Sequence, residues 1–146
     1  MINKKYLLVL TCLFLFCATF LPAQTAAELE TVLMTPAVTC AQAARFVISS
    51  VNPEFEGDSF SFAVSRGWIK NSEPDEKITL GKLSLLIMKA FDMKGGMMYS
   101  IFPIPRYAYR SMVSRFIIQG GSDPAMTVNG DRFLLILGKT LSATGD

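Results

Sequence analysis

Two stretches of this chain share one grammar, and that repetition limits the fold more than any single residue does. Val64 to Phe91, VSRGWIKNSEPDEKITLGKLSLLIMKAF, runs from V-S-R through Ile and a proline-bearing loop to Ile-Thr and a strongly apolar segment. Val113 to Leu141, VSRFIIQGGSDPAMTVNGDRFLLILGKTL, repeats the order with Met-Thr in place of Ile-Thr. A third, partial copy lies at Pro36 to Val51, where P-A-V-T nearly matches the P-A-M-T of Pro124 to Thr127. Units of this size cannot bury an apolar face alone and must stack on one another. The expected fold class is all-α: a small bundle of about three helix-loop-helix repeats.

Local signals place the helices. Ala26 to Met34 carries Leu29, Val32 and Leu33 at helical spacing, with Glu28 and Glu30 in the first turn. Thr39-Cys40-Ala41-Gln42 has the T-x-x-Q form of a capping box and opens a helix whose stripe is Ala43, Phe46, Val47 and Val51. Asp58 or Ser59 caps the next, which ends at Gly67, a residue that tolerates positive φ. Trp68 and Ile69 then fold back onto the core. Thr79 opens the most hydrophobic helix, with Leu80, Leu83, Leu86, Ile87, Ala90 and Phe91 on a face that Leu85 and Met88 widen, so it belongs at the centre. Arg106 to Ile118 reads as a helix matching Phe60 to Ile69. Thr127 or Asn129 caps a last helix reaching Leu141. The insertion Lys94 to Pro105 has no counterpart in the earlier unit and reads as a short hairpin or extended flap.

The chain opens like an export signal. Lys4 and Lys5 precede an apolar stretch from Tyr6 to Leu21, and Pro22 to Ala27 supplies small residues, so residues 1–27 read as a signal peptide cut near 23–27 and residues 28–146 as a single domain. A retained anchor is the alternative, but the stretch is closed by Pro22 short of the roughly 20 residues a span needs. Lipidation would fall on Cys17 or Cys12, behind the ill-suited Phe16 or Thr11. The expected location is the periplasm or envelope of a bacterium, with a membrane met only through an uncleaved signal. The 14 basic and 12 acidic residues of the whole chain become balanced once Lys4 and Lys5 are gone, so nothing global draws the domain to nucleic acid. The domain keeps Cys40 alone, which either packs in the core or pairs with another chain.

The order of helix, proline-bearing loop, Thr and second helix resembles the S-layer homology domain, a helical repeat of bacterial envelope proteins usually found in threes. The resemblance covers roughly Thr31 to Leu141. In that family the second helix commonly begins T-R-A-E, and its Arg contacts negatively charged cell-wall polysaccharide. The matching positions here are Thr39-Cys40-Ala41-Gln42, Thr79-Leu80-Gly81-Lys82 and Thr127-Val128-Asn129-Gly130. On this alignment the capping Thr is kept three times and the Arg never, so the resemblance implies the architecture and an envelope role more than that ligand contact.

No histidine is present, which removes Ser-His and Cys-His nucleophilic pairs and most common zinc sites. The carboxylate pairs Glu54/Glu56 and Asp75/Glu76 lie in polar loops where nothing raises a pKa. No catalytic, metal or cofactor residue is expected, and the chain reads as non-enzymatic. From Met93 to Ser122 there is no acidic residue. Within that run Arg106 and Arg110 share a helical face, with Tyr107, Tyr109 and Lys94 close by, a set that can grip an acidic sugar or phosphate. The same residues also read as structural, with half-buried tyrosines and arginines paired to acids elsewhere. Met97, Met98 and Phe102 either join the core or form an apolar partner-binding surface. The expected partner is an envelope polysaccharide or, as the second reading, another envelope protein.

Overall fold

The computed structural model describes residues 20–145. The residues 1–19 carrying most of the signal reading, with Cys12 and Cys17, lie outside the described residues. Among those described are seven helices and no strand: α1 Phe20–Leu33, α2 Cys40–Val51, α3 Ser59–Ser65, α4 Leu80–Ala90, α5 Met97–Ile101, α6 Pro105–Ser114 and α7 Gly130–Thr144. The first is already helical ahead of the expected Ala26 and runs through Pro22 to Ala27, the small-residue stretch read as the cleavage region.

The all-helical expectation holds, and α4 is its centre. Leu80, Leu83, Leu85, Leu86, Ile87 and Met88 are all buried, on more than one side of the helix. α2 and α6 pack against it, while α3 lies on α2, α5 on α6, and α1 on α7.

Three short extended segments tie the bundle together, each just ahead of a helix. The Val38 amide donates to the Val128 carbonyl at 2.8 Å, Val128 to Ile78 at 3.3 Å, and Ile78 back to Val38 at 2.9 Å. All three side chains are fully buried. A buried amide without a partner costs about as much as a lost hydrogen bond, and here three donors and three acceptors close on one another. Each segment then delivers a cap: Thr39, Thr79 and Asn129 accept from the amides of Gln42, Lys82 and Arg132. Gln42 completes the expected capping box.

The third cap moves the alignment drawn from sequence by two residues. Thr127 is exposed and bridged to Thr79, while Asn129 caps, so the stretch equivalent to Thr39–Gln42 is Asn129-Gly130-Asp131-Arg132. Asn accepts the N3 amide as well as Thr does, and only Val128 can fill the third buried place of the ring.

Two further expectations change. The insertion is not a hairpin: Met97–Ile101 coils into a single short helix, which Pro103 and Pro105 keep from extending. α6 stops at Ser114 rather than Ile118, because Phe116 adopts φ +59° where the equivalent turn after α3 has Gly67 at +68°. Ile117 and Ile118 then turn inward as Ile69 does. The Phe116 ring is 87% exposed, so it gains little packing for a backbone state that costs a bulky residue roughly 1–2 kcal/mol.

Gly130 is where α7 meets α1: a Cβ built there lies 1.6 Å from the Val32 carbonyl oxygen. Gly130→Ala is expected to lose about 3 kcal/mol in urea denaturation, since backbone must move to admit the methyl. Phe116→Gly should not lower the melting temperature, the relief of strain offsetting the added freedom of the unfolded chain.

Candidate functional site

α6 is the element on which the candidate residues sit. Pro105 occupies its first turn, where a missing amide is harmless, and Ala108, Tyr109, Ser111 and Met112 turn inward. Arg106 and Arg110, four apart, remain on the outer side and exposed. The two ion pairs among the described residues are Arg45–Glu28 at 2.7 Å and Lys82–Glu76 at 2.6 Å. Neither Arg106 nor Arg110 has a carboxylate partner among them.

Tyr107 and Arg110 line a shallow depression of about 270 Å³ together with Met97, Met98, Ser111 and Ser114. Residues that the sequence assigned to a ligand and to a protein partner thus meet in one concavity, because α5 lies along α6. Arg106, Lys94 and Phe102 are exposed outside its lining.

Tyr109 is a correction. It is 8% exposed, and its hydroxyl donates to the Ser122 carbonyl at 2.5 Å, so it offers no face to a ligand. Two positions along a helix is about 200°, which puts Tyr109 opposite Tyr107. The hydroxyl ties α6 to the loop before α7, where Arg132 also donates to Ser122 Oγ at 2.6 Å.

The paired V-S-R arginines follow different routes. Both cap their helices, but Arg66 lies over the Phe62 ring at 5.1 Å, whereas Arg115 donates to the Lys94 carbonyl and so fastens the insertion to the end of α6.

The helix starts that would carry the T-R-A-E contact are closed. Cys40, Leu80 and Gly130 stand at their first positions and are buried. Their amides donate to the carbonyls of Glu76, Met126 and Thr35. The amides of Ala41 and Gly81 donate to Pro74 and Pro124. At α2 and α4 the first three amides are thus all taken and none is left to offer an anion, while the second position of α7 is the acidic Asp131.

Around the first of these starts, burial pushes the Cys40 thiol up, with the Glu76 charge adding and Lys82 and Ser72 opposing. Lys82 holds the Glu76 carboxyl below the ordinary carboxylate range, chiefly through their hydrogen bond. The Ser61 hydroxyl does the same for Asp58. No three His, Cys, Asp or Glu side chains among the described residues converge as metal ligands.

No protein-family model matches the chain, and no curated protein matches it in sequence.

Two solution properties follow. Glu76 and Asp58 titrate lower in the native state than in the unfolded chain. Their stabilisation is therefore present above the ordinary carboxylate pKa and lost as pH falls through the lowered values, so Glu76→Gln should flatten the acid limb of stability below about pH 4.5. Cys40, buried and raised, should resist alkylation in the native protein on the order of 10³-fold relative to the unfolded chain, read by peptide mapping.

Proposed function

We propose that this chain is an exported, non-catalytic module of the bacterial envelope that holds an anionic envelope component, a polysaccharide or surface group, on the Arg106/Arg110 face of α6. The observation that carries the reading is that these two guanidinium groups are exposed without a carboxylate partner among the described residues. Arg110 lines, and Arg106 stands outside, a depression that the half-buried Tyr107 and the exposed Ser114 also line.

Arginine suits the task because its planar fork meets carboxylate or phosphate oxygens with two parallel hydrogen bonds. The resemblance to S-layer homology repeats supports the envelope setting, and the lysine-led N-terminal stretch supports export. The closed helix starts favour a ligand face away from the repeat motif.

A second reading is a protein assembly module. Met97, Met98 and Phe102 favour it, since all three are exposed rather than packed into the core. Flexible thioether side chains adapt readily to a partner surface.

Sedimentation with an envelope preparation containing wall sacculi and membranes tests both. Arg106→Ala/Arg110→Ala should weaken association at least about tenfold, as expected for charge-assisted hydrogen bonds. Association that survives in that variant but is lost in Met97→Ser/Met98→Ser/Phe102→Ser would transfer the site to the assembly reading.

A further inference from the structure

The insertion between α4 and α6 is anchored at one point and bare beyond it. Tyr99 is the anchor. Its ring is buried against the Gly95 backbone, close enough that a Cβ on Gly95 would lie 2.4 Å from a ring carbon. The Gly96 amide donates to Ser111 Oγ at 3.2 Å, and Arg115 holds the Lys94 carbonyl from the other side.

On both sides of this anchor the chain turns apolar side chains to solvent. Met97 is 75% exposed, Ile101 58% and Phe102 57%, and Met98 and Ile104 are also exposed. Exposed large apolar side chains occur singly on most surfaces, but a run of them in one short segment marks a contact.

The amide donors of the tip are already satisfied. The amides of Ser100, Phe102 and Ile104 donate to the carbonyls of Gly96, Met98 and Phe102 at 3.0, 2.8 and 2.8 Å. Pro103 and Pro105 have no amide to satisfy. With its donors paired or absent, the segment has only carbonyls such as those of Ile101 and Pro103 left to hydrate, which the water of the headgroup layer can do at interfacial depth. Lys94, Arg106 and Arg110 flank the tip and are exposed, and no acid occurs from Met93 to Ser122. The preceding acid, Asp92, lies near enough to Tyr99 to affect it.

We propose that the Ile101–Ile104 tip inserts into the interfacial layer of an anionic lipid bilayer while Lys94, Arg106 and Arg110 meet the headgroup phosphates. The inference rests on the reading of the arginine face as an anion-binding one and names the anion. A polysaccharide offers no apolar phase to cover Ile101 and Phe102. A lipid interface offers that phase and the phosphates together, at the depth to which apolar side chains reach below the headgroups. None of the described helices is long and apolar enough to cross a membrane.

The test is flotation of the protein with vesicles of phosphatidylcholine alone and with about one phosphatidylglycerol in three, beside sedimentation with lipid-free sacculi. Binding should require the anionic lipid and weaken with salt. Arg106→Ala/Arg110→Ala should lower partitioning about 25-fold, from roughly fivefold per basic residue at an anionic surface. Ile101→Ser/Phe102→Ser should abolish it with an unchanged melting curve, because both side chains are exposed in the folded protein. A Phe102→Trp variant, measured against Phe102→Ser to subtract Trp68, should show a blue shift on vesicles.

Equal vesicle binding by Ile101→Ser/Phe102→Ser would overturn insertion. Binding to sacculi but not to phosphatidylglycerol vesicles would overturn the lipid assignment and leave the arginine face intact as an anion site. Loss of binding to both materials would sink the parent reading as well. Capture of a soluble envelope protein by the tip in place of vesicles would likewise overturn the lipid partner.

Discussion

Everything in this molecule depends on three buried peptide groups that have only one another to bond. Val38, Ile78 and Val128 sit where the extended segments converge, too deep for water and with no sheet to join. For three such groups, a closed ring is the arrangement in which each donates once and accepts once. Once it is closed, the directions of α2, α4 and α7 are set, because each helix starts within two residues of a ring member. The loops that seal the helix starts do so across the ring, Pro74 and Glu76 onto α2, Pro124 and Met126 onto α4, and Thr35 onto α7. Variation in loop length and the whole insertion are then free to occur outside it.

Much of this architecture was legible in the sequence, for local physical reasons. Thr39 and Gln42 can satisfy each other's amides without help from the rest of the fold, and Asp58 and Thr79 cap in the same local way. The apolar breadth of Leu80 to Phe91 had no explanation except a central place. What failed depended on contacts between distant parts. Thr127 matched Thr39 by letter, but the ring needed a buried β-branched residue immediately before the cap, and only Val128 with Asn129 supplies that pair. The turn after α6 was hidden because Phe116, unlike Gly67, gives no sign that it will take a left-handed backbone.

The candidate site divides in the same way. The spacing of Arg106 and Arg110 and the missing acids could be read directly, and both arginines stand exposed. Tyr109 was misplaced because RYAYR was read as one cluster, whereas helical geometry separates alternate tyrosines; that signal was available in the spacing itself. The meeting of Met97 and Met98 with Tyr107 and Arg110 had no sequence signal, since it depends on how α5 lies against α6. Its anchor was equally hidden: Gly95 is essential to the fit of Tyr99, yet looked like an ordinary turn glycine.

The ring also sets the tempo of assembly. Its three members come from early, middle and late parts of the chain, so no neighbouring pair of units can close it. Contacts between remote segments slow folding because loops must be ordered before they are rewarded. The Ile78–Val38 bond and the loop that seals α2 need only the chain up to Ile78, but the ring cannot close until Val128 arrives. When that residue does arrive, the other two bonds of the ring and the seals on α4 and α7 become satisfiable together. The ring thereby ties Val38 to Val128, near the two ends of the described chain, through one buried hydrogen bond.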